Sequence, residues 1–169
     1  MNTVLRFGLL YGAIECLWML LLYVTGLNRL EMAWVFRLPS LAVAVICVMQ
    51  AVKHFRLGAG NGFISFGKAF RTSLGVLITG SVIISIFTFV DQKFIDTQKM
   101  DIEFQRQIEK MEANGMPEEN IEQAIAMRDK FNKPWILLSF ALAGSLVFSL
   151  IMALILAAIL KKENPEEIR

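Results

Sequence analysis

Residues 62–69, GFISFGKA, have nearly the spacing of a nucleotide-binding P-loop, G-x-x-x-x-G-K-[S/T]. A P-loop follows a β-strand, and its small residues let backbone N–H groups surround a phosphate. Here Phe63, Ile64 and Phe66 fill the loop positions, and Ala69 stands where a hydroxyl would bind magnesium. The residues before the motif form a long apolar segment rather than a strand. We therefore expect that this segment does not bind a nucleotide.

The same segment carries aromatic side chains on one helical face and cations on another. Phe63, Phe66 and Phe70 recur at helical spacing, whereas Lys68 and Arg71 point elsewhere. This pattern is typical of a membrane interface, where rings enter the lipid and cations meet anionic head groups. Two interpretations stay open: the segment is the entry turn of a membrane span, or it binds a specific lipid or partner.

Glu15 is the only charged residue in the apolar run from 9 to 26. A carboxylate there is costly in lipid unless it is protonated, paired or hydrated. Its candidate partners are Arg37, Gln50 and serines of the later apolar segments, although the long side chain of Arg37 could instead reach the interface. Either Glu15 is a neutral or hydrogen-bonded residue that fixes helix register, or it couples the protein to a proton or a ligand.

Small residues at helical spacing predict close helix packing. Gly8 and Gly12 are four residues apart in the first apolar segment, and a longer series follows in the last one. Such residues let helix backbones approach closely in membranes, within one bundle or between copies. The predicted packing face of the last segment consists of Ala141, Ser145, Ser149, Ala153 and Ala157.

No recognisable catalytic set, metal site or cofactor motif emerges from the sequence. His54 is the only histidine, and no Cys or acidic residue lies near it at metal-ligand spacing. The many carboxylates between 92 and 133 alternate with polar and basic residues, which is typical of a solvated helix face. We therefore expect no enzyme activity, no metal and no cofactor.

The elements that would position these residues follow from hydropathy. Of 169 residues, 56% are hydrophobic, and they cluster in four blocks with almost no charge. A helix needs about 20 apolar residues to cross a bilayer, and open sheets leave unpaired backbone groups in lipid. The sequence predicts one membrane domain, an all-α transmembrane bundle of four helices, with spans at about 4–26, 33–53, 70–91 and 134–160.

The polar connection between the third and fourth spans, about residues 92–133, predicts a helical hairpin. Two apolar stripes at helical spacing, near 100–111 and 121–131, flank a break at Asn114-Gly115. Pro117 suits the start of the second helix. We expect an αα-hairpin outside the membrane.

Basic residues predict the orientation. The short connection from Lys53 to Arg71 contains no acidic residue, and with four spans it shares a side with both termini. Positive charge in short loops favours the cytoplasmic side. This predicts cytoplasmic termini and a periplasmic hairpin, in a bacterial inner membrane.

The segments NGFISFGKAFR, KFID, QIEKMEANGMPEENIEQA and AAILKKENP resemble, in the same order, an uncharacterised family of bacterial four-helix membrane proteins known only as a domain of unknown function. The resemblance covers nearly the whole chain. It implies the four-span layout and a bacterial inner membrane, and it supplies no activity or catalytic residue. Pro117 departs from the capping serine that relatives would carry, but it also starts a helix.

Three functions fit these features. The first is a non-catalytic accessory or scaffold subunit that binds envelope proteins or a second copy of itself. The second is a small oligomeric transporter or channel that uses Glu15. The third, an enzyme on lipids acting through Lys68, Arg71 and His54, is the weakest, because no general base or metal site accompanies these residues. We expect membrane lipids as partners, and neither nucleic acid nor nucleotide.

Overall fold

The computed structural model describes residues 2–27, 35, 37–58, 60–131 and 134–162. The described part of the chain is helical and contains no strand, apart from one isolated β-bridge between Ile64 and Lys162. The elements are α1 (Thr3–Thr25), α2 (Arg37–Gly58), α3 (Phe66–Val90), a π-helical turn (Asp91–Ile95), α4 (Lys99–Ala113), α5 (Glu118–Phe131) and α6 (Pro134–Leu160). The prediction of an all-α fold is confirmed.

Four helices are long and apolar enough to cross a membrane, as a multi-pass membrane protein requires: α1, α2, α3 with its π-turn, and α6. They correspond to the four predicted spans, although α2 ends later than predicted and α3 begins earlier. The predicted start of the second span at 33 lies outside the described residues. Large apolar side chains point outward, with Val24 81% and Ile159 70% exposed. Lipid would cover such surfaces.

The helix ends follow local sequence signals. The side chain of Asn2 accepts a hydrogen bond from the backbone N–H of Val4 at 3.3 Å, which caps the start of α1. Gly26 ends α1 with φ +72°, a left-handed conformation that glycine adopts without a Cβ penalty. Pro39 lies in the first turn of α2, where its missing N–H costs no helical hydrogen bond.

The chain divides into two compact units, residues 1–84 with 142–169 and residues 85–141. In the first unit, α1 and α2 run antiparallel, since Thr3 at the start of α1 lies 3.4 Å from His54 near the end of α2. Its core is made mostly of small and β-branched side chains, with Val48, Ala51 and Val76 fully buried. Small cores allow close helix packing in lipid.

The second unit contains the predicted helical hairpin. Asn114 and Gly115 form the turn between α4 and α5, and Gly115 has φ +69°. Arg128 of α5 forms an ion pair with Asp101 of α4, and its guanidinium lies 4.4 Å from the centroid of the Phe104 ring. Charge and stacking thus join the two helices. The placement of the hairpin relative to a membrane stays a prediction, as does the organisation of the chain as one membrane domain.

Candidate functional site

Glu15 lies inside the first unit, and Ser40 of α2 partners it. The carboxylate is 5% exposed, and its Oε2 accepts a hydrogen bond from Ser40 Oγ at 2.6 Å. Its other oxygen, Oε1, is also buried and has no hydrogen-bond partner among the described residues. The antiparallel pairing of α1 and α2 positions this contact. The site therefore has one satisfied carboxylate oxygen and one that is available to a proton, a water or a cation.

The surroundings of Glu15 are protein rather than open lipid. Tyr11, one turn earlier on α1, is 8% exposed, and Cys47 of α2 is 4% exposed. Both lie within electrostatic range of the carboxylate. The backbone of Arg37 starts α2, but its side chain lies outside the described residues. Gln50 is exposed elsewhere on α2, so it is not brought into this buried group.

The predicted packing residues fall into two groups. Gly8 and Gly12 of α1 are buried and face α3, because a Cβ atom on Gly8 would come within 2.5 Å of Thr79 Cβ. On α6, Ser149, Ala153 and Ala157 are fully buried. These contacts let helices approach closely, as expected of small residues.

Burial along the predicted packing face of α6 decreases from Ser149 toward Ala141. Ser149 Oγ lies 3.2 Å from Ser81 Oγ of α3, which satisfies a buried hydroxyl. Ser145 is half-buried and donates a hydrogen bond to the Leu142 carbonyl at 2.9 Å. Ala141 is exposed and lines a cavity of the second unit.

The aromatic and basic segment forms a turn and the start of α3. The rings of Phe66 and Phe70 stack with centroids 6.3 Å apart, and Phe66 is 38% exposed. Phe63 lies beneath the ammonium of Lys162, 5.5 Å from its ring centroid. Lys68 and Arg71 are exposed. In the described part of the chain, the element before this turn is helix α2 rather than the strand that a P-loop needs.

A β-bridge fixes this turn against the end of α6. Ile64, 2% exposed, donates its N–H to the Lys162 carbonyl at 2.8 Å and accepts from the Lys162 N–H at 2.9 Å. Gly62, with φ +91°, donates its N–H to the Arg56 carbonyl at 3.0 Å. The turn therefore holds together the end of α2, the start of α3 and the end of α6.

Two further cavities carry polar groups. In the second unit a cavity of about 430 Å³ has Thr88, Gln92 and Lys93 in its lining, with Phe89 and Leu138 as apolar members. In the first unit a pocket of about 190 Å³ lies beside Gln50 and the last turns of α2. Among the described residues, no group of three or more His, Cys, Asp or Glu side chains could hold a metal ion.

Ser40 is a partner of Glu15 that the sequence alone did not indicate. Ser40 lies in the first turn of α2, whereas Glu15 lies in the middle of α1, so pairing the helices symmetrically about their connection would not join them. Arg56 is one of the basic residues in the connection from Lys53 to Arg71, whose charge predicts orientation. Its spacing of three residues from Lys53 was a usable sign that both share a helix face.

Comparison with known proteins identifies the family but not an activity. Residues 6–162 match the family described as "Protein of unknown function (DUF4199)", which brings no recognised catalytic family with it. No curated protein and no solved structure matches the chain.

Proposed function

We propose that this chain, which belongs to the DUF4199 family of proteins of unknown function, is a non-catalytic accessory or scaffold subunit of a bacterial inner membrane. In this proposal both termini face the cytoplasm and the hairpin faces the periplasm. The hairpin binds another envelope membrane protein or a second copy of the chain.

The observation that carries the proposal is the folded hairpin. Arg128 ties α5 to α4 through Asp101 and Phe104, so a partner would meet an ordered surface rather than a flexible linker. That surface is charged, and it also exposes Ile125 by 43% and Met127 by 60%. Exposed apolar side chains surrounded by polar ones are a composition that protein interfaces share.

A photo-cross-linking amino acid placed at Met127 tests this proposal in intact cells. We expect a discrete adduct, either with one other membrane protein or with a second copy of the chain. A matched probe at Val147 of α6, which is 58% exposed, should report mainly lipid. Absence of any protein adduct at Met127, with the probe incorporated and the chain in the membrane, would contradict the proposal.

A second candidate function, ion or proton coupling through Glu15, is favoured by the unpartnered Oε1. A buried carboxylate oxygen without a hydrogen bond in a candidate span is costly, and intramembrane carboxylates often serve ion or proton pathways. Four helices are few for a complete pathway, so symmetry-related copies would line it.

Flux into proteoliposomes distinguishes this second function from the first. A coupled protein should move protons down an imposed potential, and Glu15→Gln should reduce the rate at least about tenfold by removing the ionisable group. Ser145→Ala, which alters only a hydroxyl bonded within its own helix, should leave the rate unchanged. Parent protein that moves no more protons than empty liposomes removes this candidate.

A further inference from the structure

The pocket at the end of α2 gathers two cations and an amide from one helix. Its volume is about 190 Å³, and its polar lining consists of Gln50, Lys53 and Arg56. Met49, Val52 and Leu160 complete the lining. Leu160 is the last residue of α6, so the pocket lies where two candidate spans end.

Arg56 provides a donor that the described chain does not use. Its side chain is half-buried, and Nε is buried without a hydrogen-bond partner among the described residues. A buried N–H without an acceptor costs free energy, and a charged one costs more. The carbonyl of Arg56 accepts the Gly62 N–H at 3.0 Å, which holds this residue's backbone in place. Arg56 is one of the residues that line the pocket, so an anion there would bring acceptors to a side chain whose hydrogen-bonding capacity is not fully used.

Lys53 adds a second positive charge on the same face of α2. It lies three residues before Arg56 and is exposed, and the sequence from 53 to 71 contains no Asp or Glu. A cation in the last turn of a helix is stabilised by the helix dipole. The helix dipole accounts for a positive charge at Arg56. It does not account for the missing acceptor at Arg56 Nε, or for the presence of Lys53 and Gln50 in the same pocket.

The apolar residues in the lining favour an anion that is attached to an apolar group. Val52 is 2% exposed, whereas Met49 is 46% exposed one turn earlier on α2. Phosphate accepts several charge-assisted hydrogen bonds from guanidinium and ammonium groups. Basic pockets between membrane helices on the cytoplasmic side are known to bind anionic lipid head groups.

We propose that the pocket of Gln50, Lys53 and Arg56 binds a phosphate oxyanion, and that its occupant is the head group of an anionic phospholipid. The phosphate lies between Arg56 and Lys53, and the acyl chains run past Met49 along α2. No bond is made or broken.

Lipid retention measured by native mass spectrometry tests the site on the full chain. The probes are dioleoylphosphatidylglycerol, which has a net negative charge, and dioleoylphosphatidylcholine, which has the same chains and no net charge. We expect at least about tenfold preference for phosphatidylglycerol, because both lipids carry the phosphate but the quaternary ammonium of phosphatidylcholine adds a positive charge beside Lys53 and Arg56. The double variant Lys53→Gln with Arg56→Gln should lose this preference.

The chain offers a matched control in Lys68 and Arg71. They have the same residue types and the same spacing, they are exposed at the start of α3, and they lie outside the lining of this pocket. Lys68→Gln with Arg71→Gln removes the same charge and should change the preference less than about twofold. Equal loss in both double variants would show diffuse attraction to anionic lipid and would overturn the proposal.

Inorganic phosphate separates the two sources of the oxyanion. Excess inorganic phosphate should displace phosphatidylglycerol from the parent protein and from the control variant. That result supports recognition of a phosphate oxyanion by the pocket. Binding of phosphate without any preference for phosphatidylglycerol would overturn the lipid assignment. No preference in the parent and no binding of phosphate would overturn the site itself. Circular dichroism of all variants checks that the helices remain folded.

Discussion

At the scale of single residues, the hydrogen bond from Ser40 to Glu15 decides how the carboxyl group is tolerated. The bond is 2.6 Å long and joins two side chains from different helices. Without it, both oxygens of a side chain that is only 5% exposed would lack a partner. The pair therefore fixes the register of α1 against α2, whether or not Glu15 has a further function.

Ser40→Ala should destabilise the protein by about 1–2 kcal/mol, because it leaves a buried acceptor unsatisfied. The free energy of unfolding in mixed micelles measures this effect. Ser145→Ala is the control, since its hydroxyl bonds only to the Leu142 carbonyl of its own helix, and it should change that free energy by less than about 0.5 kcal/mol. Equal values for the two variants would show that the Ser40 bond contributes nothing.

Glu15→Gln should be tolerated better than Ser40→Ala. An amide oxygen can still accept the Ser40 hydrogen bond, and a neutral side chain avoids the cost of a charge in the membrane. We expect an unfolding free energy equal to or above that of the parent. A loss larger than that of Ser40→Ala would show that an ionised Glu15 stabilises the fold through a partner outside this pair.

Glu15 could be identified from the sequence, but its hydrogen-bond partner could not. Glu15 is conspicuous in the sequence because it is a lone charge in an apolar run, and this signal is local. The identity of its partner depends on the axial register between α1 and α2. That register is set by packing between the two helices and not by a local sequence signal. Arg56 illustrates the same limit, because a count of charges reports orientation but not that a donor is buried beside a pocket.

At the scale of elements, glycines set the distance between α1 and α3. A Cβ atom at Gly8 would lie 2.5 Å from Thr79 Cβ and 3.0 Å from the Val76 carbonyl oxygen. A Cβ atom at Gly12 would lie 2.9 Å from Ile83 Cβ. All three distances are shorter than ordinary van der Waals contact, so the two helices could not keep their separation if either glycine were replaced.

Gly8→Ala should cost about 1–3 kcal/mol of unfolding free energy through overpacking. Gly144→Ala on α6 is the matched substitution, because nothing lies within 4 Å of its added Cβ. That variant should be neutral or stabilised by up to about 1 kcal/mol, since alanine is the better helix former. If Gly8→Ala proved as stable as Gly144→Ala, the close approach of α1 and α3 would be excluded.

Arg128→Ala should loosen the hairpin without unfolding the spans. The Asp101–Arg128 pair is partly exposed, so it contributes at most about 1 kcal/mol, and stacking on Phe104 adds about 0.5–1 kcal/mol. Hydrogen exchange in α4 and α5 should accelerate several-fold, while exchange in α2 stays constant. Lys130→Ala, an exposed lysine two residues away, should leave the hairpin protection unchanged.

The helices themselves were predictable from sequence for physical reasons. Backbone groups have no water to bond with in lipid, so an apolar block long enough to span is helical. The hairpin followed from apolar spacing and from the Asn114-Gly115 break, where α4 ends and Gly115 has a positive φ. The π-turn at Asp91–Ile95 was not predictable, because only one added residue in a helical turn distinguishes it from α-helix.

At the scale of the whole molecule, both proposed functions require four helices that cross a bilayer. Their length, their apolar composition and their outward-facing side chains agree with this arrangement. If all four helices cross a bilayer, as we propose, the chain topology requires that the turn after α2 and the hairpin face opposite sides of it. The proposed lipid site at Arg56 and the proposed partner surface at Met127 would then belong to different compartments.

Site-directed labelling with a membrane-impermeant maleimide tests this claim most directly. Asn61→Cys in the turn and Glu112→Cys in the hairpin are both exposed, and Cys16 and Cys47 are replaced by alanine in each variant. In intact spheroplasts we expect labelling at position 112 and none at 61, with both labelled after lysis. Labelling of both positions before lysis would contradict the membrane-spanning account, and labelling of position 61 alone would reverse its orientation.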